Sequence, residues 1–162
     1  MLMSPPQLCP RRKCAYYLIN VEPSVPRPVR EKIEHMVFDL SNAILGHAPE
    51  DLIGSKKRSL LDYLDVAISR YGSSIYLLAT KADFMEALDE QLAVYQRALS
   101  LAIVFGDHDE VFMIHDSLLN LYTSEGMTGE IDKALRFCTI YAEQNSQEEN
   151  PDYQELLDEF GQ

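Results

Sequence analysis

The sequence predicts a protein built entirely of α-helices. Leu and Ala recur at helical spacing through most of its 162 residues, in blocks rich in Glu and Asp and interrupted by some of the seven glycines. The alternating β-branched runs bounded by turns that indicate strands are missing from the sequence. A chain of this length buries about two-thirds of the surface that it exposes when unfolded, so it can form a substantial core. We therefore expect an all-α fold with one main domain.

The N-terminal segment differs in composition from the rest. Six of the eight prolines lie within the first 28 residues, at positions 5, 6, 10, 23, 26 and 28. Proline lacks the N–H that a helix interior requires, so residues 1–27 are predicted to be extended or disordered. The apolar run AYYLINV at residues 15–21 is the exception, and we expect it to dock onto the body of the protein.

The same segment carries two short motifs of weak specificity. Cys9 and Cys14 have a C-x4-C spacing that some zinc sites use, but no second close Cys/His pair accompanies them, so no metal site is predicted. The stretch PRRK at residues 10–13 is typical either of a short import or docking signal or of a solvated tail.

The main helical-repeat domain is expected over residues 28–144. An apolar stripe begins after Pro28 and stops at Gly46, residues 46–58 are predicted to form a loop, and SLLD at residues 59–62 resembles a capping box that begins the next helix. The later blocks are 74–105, whose length predicts a break near residues 81–84, then 109–124 and 130–143. Residues 145–162 are predicted to be an acidic linker followed by a short C-terminal capping helix.

The negative charge of the sequence argues against some classes of partner. The net charge is −12, and residues 59–162 contain five Lys/Arg against twenty Asp/Glu. Such an acidic surface repels phosphate backbones and anionic lipids, so neither nucleic acid nor a membrane is expected as a partner. No run approaches the roughly 20 apolar residues of a membrane span, and the first residues lack the apolar core of a signal peptide. The three cysteines cannot all pair within the chain, which favours a reducing compartment. The sequence therefore predicts a cytoplasmic protein.

An internal repeat suggests a specific architecture. YQRALSLAIVFGD (95–107) aligns with IDKALRFCTIYAE (131–143) at an offset of 36 residues, and a first helix, a glycine turn and a second helix lie between their Ala-Leu pairs. This pattern resembles the tetratricopeptide repeat, a helical hairpin with Leu and Tyr in its first helix and small residues in its second. The residues that carry the resemblance are Leu118, Leu119, Tyr122, Gly126, Ala134, Cys138 and Tyr141.

The resemblance implies a short right-handed α-solenoid of antiparallel helical hairpins. Consecutive hairpins in such an array pack against each other, and small residues allow their helices to approach closely. A weaker earlier copy places Ala87 and Leu88 at the Ala-Leu position. Cys138 then occupies a packing position, which indicates a structural thiol rather than a nucleophile.

The acidic stretch GDHDE at residues 106–110 has two interpretations. As a junction between helices, Gly106 ends one helix in the left-handed conformation, Asp107 caps the next, and Glu110 completes a capping box. As part of an HD-type metal-dependent phosphohydrolase, His108, Asp109 and the pair His115-Asp116 would supply metal ligands. His115 shares a helix face with apolar residues, which favours a core histidine and therefore the junction.

The predicted function is that of a non-enzymatic interaction module, an adaptor or scaffold. In the tetratricopeptide family, partner segments lie against one stripe of the first helix, which here consists of Met113, Asp116, Asn120 and Thr123. This stripe has no Lys or Arg to hold an acidic peptide, so we expect a basic or apolar protein or peptide. A structural or self-assembling protein is the alternative, and the HD-type enzyme ranks third. No catalytic residue, metal or cofactor is predicted.

Overall fold

Within residues 22–161, which this computed structural model describes, the chain folds into seven α-helices and no strand. The expected all-α fold is therefore confirmed. The predictions made for residues 1–21, namely the docking of 15–21, the cysteine pair and the basic stretch, lie outside the described residues. The helices are α1 (Arg27–Leu45), α2 (Glu50–Tyr71), α3 (Ile75–Asp83), α4 (Leu88–Phe105), α5 (His108–Ser124), α6 (Thr128–Asn145) and α7 (Pro151–Phe160).

The first two helices form a hairpin with its own core. Pro28 lies in the first turn of α1, where its missing N–H costs nothing. Ile33 and Leu40 of α1 and Leu60 and Leu64 of α2 are fully buried in one cluster. The predicted apolar stripes of both helices therefore face each other.

The predicted loop at residues 46–58 is wrong, because α2 begins at Glu50 and continues through Gly54. Pro49 immediately precedes the helix, and Glu50 and Asp51 place negative charge at the positive end of its dipole. A glycine inside a helix costs only about 1 kcal/mol relative to alanine, which packing can outweigh. The capping box at Ser59 is also wrong, since the Ser59 hydroxyl lies inside α2 and donates to the carbonyl oxygen of Ser55 at 3.0 Å.

The break expected near residues 81–84 is confirmed, because α3 ends at Asp83 and α4 begins at Leu88. The hydroxyl of Ser74 caps α3 by accepting from the N–H of Leu77. Ala87 and Leu88 stand at the very start of α4, whereas the later Ala-Leu pairs lie within their helices. The earlier copy of the repeat is therefore wrongly aligned.

A second, larger core joins α3 to α7. The small residues at matched positions of α4 and α6 are all buried in it: Ala98, Ala102, Ala134 and Cys138. Each helix packs on the next along the chain, and α5 also contacts both α3 and α7. None of the helices in residues 22–161 has both the length and the apolarity needed to cross a membrane.

Candidate functional site

A groove of about 290 Å³ runs between α5 and α7. Its apolar lining comes from Phe112, Met113 and Leu156, and its polar lining from Asp116, Ser117, Asp152, Glu155 and Glu159. Phe112 and Leu156 are buried and belong to the core, while Met113 is 55% exposed. The groove thus has an apolar floor and an acidic rim.

The N-terminal end of α7 is anchored beside that of α5. The Asn150 side chain caps α7 by accepting from the N–H of Asp152, and its amide group donates to Asp109 Oδ1 at 2.9 Å. The rings of Phe112 and Tyr153 lie 5.3 Å apart between centroids. Both contacts join early residues of the two helices, and the groove is lined by residues 112–117 of α5 and 152–159 of α7. The two helices therefore run side by side in the same direction and form the walls of the groove.

The charged residues that line the groove are all negative. Four of its eight described lining residues are acids, and none of the eight is Lys or Arg. Desolvation raises the pKa of Asp116, against the lowering effect of a hydrogen bond from Asn120. Desolvation also raises the pKa of Asp152, and the nearby charges of Asp109 and Glu155 add to it. Cationic groups in the groove would relieve this mutual repulsion.

Two of the four predicted partner-binding residues line the groove, Met113 and Asp116. Asn120 lies one turn further along α5, exposed, and its amide donates to the carbonyl oxygen of Asp116 at 3.1 Å and to its carboxylate at 3.3 Å. The Thr123 hydroxyl donates to the carbonyl oxygen of Leu119 at 2.8 Å. The structure therefore joins the first half of the stripe to α7 and leaves the second half beyond the groove.

Sequence reasoning missed the second wall. The sequence predicts α7 as a cap and predicts none of its acids as binding residues. The signal was present, because Asp152, Glu155 and Glu159 are spaced three and four apart and share one face of a helix, beside the buried Tyr153 and Leu156. Which helix this acidic face would lie beside could be learned only from the packing.

A polar contact joins α3 to α4. The Tyr95 hydroxyl of α4 donates to Asp83 Oδ1 of α3. Asp83 is exposed on one side, but the packed helices around it desolvate the carboxyl and raise its pKa. Burial and the adjacent carboxylate also raise the pKa of Tyr95. The contact therefore ties the start of the α3–α4 connection to the middle of α4.

The GDHDE stretch is a junction between helices, as predicted. Gly106 ends α4 at φ 70°, a left-handed conformation that glycine adopts without strain, and the Asp107 carboxylate accepts from the N–H of Glu110 at 3.3 Å. The predicted reciprocal half of the capping box is absent, because the N–H of Asp107 instead donates to the carbonyl oxygen of Ala102 at 3.0 Å. That bond closes the end of α4.

The histidines of the enzymatic interpretation are engaged in packing. His108 Nδ1 lies 2.8 Å from the Tyr141 hydroxyl oxygen, and His115 Nδ1 lies 2.8 Å from the carbonyl oxygen of Val111. His115 is buried and stacks on Phe137 with 4.9 Å between ring centroids. In residues 22–161 no three His, Cys, Asp or Glu side chains come together as a metal site would require. The geometry thus gives the HD-type interpretation no support.

The thiol of Cys138 is buried, which raises its pKa to about 12. A thiol of this kind is a packing group rather than a nucleophile at neutral pH. The structural role expected from the sequence agrees with this environment.

No protein-family model, curated protein or solved structure matches this chain. The resemblance to the tetratricopeptide repeat therefore stays a prediction that rests on the residues quoted above.

Proposed function

We propose that this protein is a non-enzymatic interaction module that holds a basic segment of a partner protein in the groove between α5 and α7. The observation that carries the proposal is the combination of an exposed Met113 over an apolar floor with a rim of Asp116, Asp152, Glu155 and Glu159. Apolar contact supplies affinity, and the acidic rim selects cationic partners and speeds their approach.

A tetratricopeptide-like arrangement is part of the proposal. In a right-handed solenoid of this kind the first helix of each hairpin packs on the first helix of the next, and the contacts of α5 with α3 and α7 fit that pattern. The buried small residues Ala98, Ala102, Ala134 and Cys138 fit the second helices, α4 and α6. On this proposal α3, α5 and α7 form the concave layer, with Asn120 and Thr123 as further contacts beyond the groove. A cytoplasmic location belongs to the same proposal.

The chemistry of the partner segment follows from the lining of the groove. The wall of α7 from Asp152 to Glu159 contains eight residues and is about 10 Å long at a rise of 1.5 Å per residue. A segment of about three to four extended residues covers that length. Lys or Arg side chains at its flanks would reach Glu155 and Glu159, while an apolar side chain between them would cover Met113.

Self-assembly is the second candidate, because one surface favours it. Phe38 and Leu45 lie seven residues apart on one face of α1 and are 65% and 77% exposed. An apolar face at the end of a helical array is often covered by another chain. Light scattering after size-exclusion chromatography separates the two candidates, because a monomer at all concentrations eliminates self-assembly.

The test of the groove is binding of a synthetic Lys- and Leu-containing peptide, measured by titration calorimetry. Glu155→Gln with Glu159→Gln should weaken binding about three- to tenfold, because exposed ion pairs contribute about 0.2–1 kcal/mol each. The matched control is Asp62→Asn with Asp132→Asn, which removes the same charge from exposed positions on α2 and α6. Equal affinities for the two double variants would mean that only overall charge attracts the peptide.

A further inference from the structure

The chain contains a segment whose chemistry matches the groove. Residues 1–21 hold Arg11, Arg12 and Lys13 and no Asp or Glu, and the apolar run AYYLINV follows directly at residues 15–21. This cationic cluster is opposite in charge to the four acids of the groove. The other run of three cations, Lys56, Lys57 and Arg58, lies within α2, where Lys56 contacts Asp39 and Lys57 contacts Glu86.

The described chain begins beside the groove. Glu22 accepts from the N–H of Ile75 at 2.9 Å through its carboxylate, and it borders the same surface depression as His108, Asp109 and Gln147. Asp109 is hydrogen-bonded to the cap of α7 and lies one turn before Met113 on α5. The N-terminal segment therefore joins the body at the end of the groove where α5 and α7 begin.

The N-terminal segment is long enough to reach the groove, and its apolar and cationic parts follow in the same order as the matching parts of the groove. One turn of α5, about 5 Å, separates Asp109 from Met113. Glu22 and Cys14 are eight steps apart in the chain, and an extended chain spans up to about 3.3–3.6 Å per step, so the segment reaches the whole groove. Moving away from Glu22, the chain presents its apolar run first and its three cations afterwards. The groove presents Phe112 and Met113 near this end and Glu159 at the other.

We propose that residues 11–16 of the chain itself occupy the groove between α5 and α7, with Ala15 and Tyr16 over Met113 and the cations of residues 11–13 against Asp116, Glu155 and Glu159. The inference rests on the proposed function, because it assigns an occupant to the same groove. The segment then competes with external partners as an intramolecular ligand, whose effective concentration a short linker keeps in the millimolar range. Partners must displace it, so the groove responds to whatever modifies or binds residues 11–16.

Cysteine coupling in the full chain tests this placement. The variant Cys9→Ser/Met113→Cys leaves Cys14 as the single thiol of the N-terminal segment, and the native Cys138 is buried. Under a mild oxidant at low protein concentration, a disulfide between Cys14 and the thiol introduced at position 113 should form within each molecule, identified by peptide mass spectrometry. The control is Cys9→Ser/Val104→Cys. Val104 is 60% exposed and precedes Phe105, which borders the same depression as Glu22, so it lies within reach but outside the groove.

We expect coupling at least tenfold faster at position 113 than at position 104, and at least fivefold slower when Arg11, Arg12 and Lys13 are changed to Glu. Equal rates at the two positions, or no effect of charge reversal, overturn the proposal. Disulfides that form only between molecules overturn it too, because the groove then takes the segment of a second copy. Circular dichroism establishes that each variant is folded.

A binding measurement separates this inference from the proposed function. In otherwise wild-type protein, changing Arg11, Arg12 and Lys13 to Glu should tighten binding of the Lys- and Leu-containing peptide by at least threefold, because the competitor is removed. If the peptide binds the groove with unchanged affinity after charge reversal, the intramolecular occupant is refuted and the proposed function stands. If coupling to position 113 is fast but no external peptide binds, the proposed function is refuted and the intramolecular contact stands.

Discussion

His108 Nδ1 lies 2.8 Å from the hydroxyl oxygen of Tyr141, which joins the first residue of α5 to the last turns of α6. The two rings are 5.7 Å apart between centroids, and Phe112 meets the Tyr141 ring edge-on at 5.8 Å. This contact gives the acidic junction a structural role, because it fixes the start of α5 against the helix that follows it.

We predict that His108→Ala and Tyr141→Phe each lower the free energy of unfolding by about 0.5–1.5 kcal/mol, the usual net contribution of one hydrogen bond. The double variant should lose little more than the worse single variant, because both changes remove the same bond. Urea denaturation of the four proteins measures the coupling. Strictly additive losses would show that the two side chains stabilise the fold independently.

Because one face of α4 is closely packed, we predict that enlarging two of its alanines has different effects on stability. Ala98 is fully buried in the large core, whereas Ala93 is exposed on the same helix. Ala98→Leu should overpack the core and cost about 1–3 kcal/mol, while Ala93→Leu should stay within about 0.5 kcal/mol of wild type. Thermal melts monitored by circular dichroism provide the measurement. Similar melting temperatures for both variants would contradict the packing described here.

Truncation of a core side chain in α5 should lower the free energy of unfolding by a larger amount. Leu119 is fully buried, so Leu119→Ala leaves a cavity and should cost about 2–5 kcal/mol. Leu45→Ala is the matched control, because Leu45 is 77% exposed at the end of α1. In guanidinium denaturation, the midpoint of Leu119→Ala should lie well below that of the wild type, and the midpoint of Leu45→Ala should barely change.

His115 predicts a pH dependence of stability. Burial lowers the pKa of its imidazole below the ordinary value of 6.5, and the hydrogen bond to the Val111 carbonyl opposes this only in part. The unfolded chain therefore takes up the proton first as the pH falls. The stability contributed by the neutral imidazole is present above pH 6.5 and is lost as the pH falls below that value towards the folded pKa.

The free energy of unfolding should consequently decrease between pH 7.5 and 5.5, and His115→Leu should remove most of that decrease. Below this range the raised pKa values of Asp83, Glu110 and Asp116 act in the opposite direction, because the folded chain then holds protons more tightly than the unfolded one. Urea titrations at several pH values give the slope. An identical slope in wild type and variant would show that His115 does not titrate differently on folding.

Helix content and most helix ends were readable from local sequence. Gly106 and Gly126 end helices in the left-handed conformation, and the small residues at the 36-residue offset are buried, because both features depend on residues close in the chain. The predicted start of α2 is wrong. Gly54 and the basic run after it favour a loop in the sequence pattern, whereas Pro49 and the acids of the first turn begin a helix that packing on α1 sustains.

Sequence by itself determined the all-helical class, the buried positions of His115 and Cys138, and the acidity of the C-terminal half, because periodicity and composition are properties of neighbouring residues. Tertiary structure alone decided that α7 lies along α5. The contact of Asn150 with Asp109 and of Tyr153 with Phe112 joins residues 41 positions apart, and no local pattern specifies such a pairing. It brings Glu155 and Glu159 opposite Met113 and Asp116, and so turns two separate helix faces into one groove.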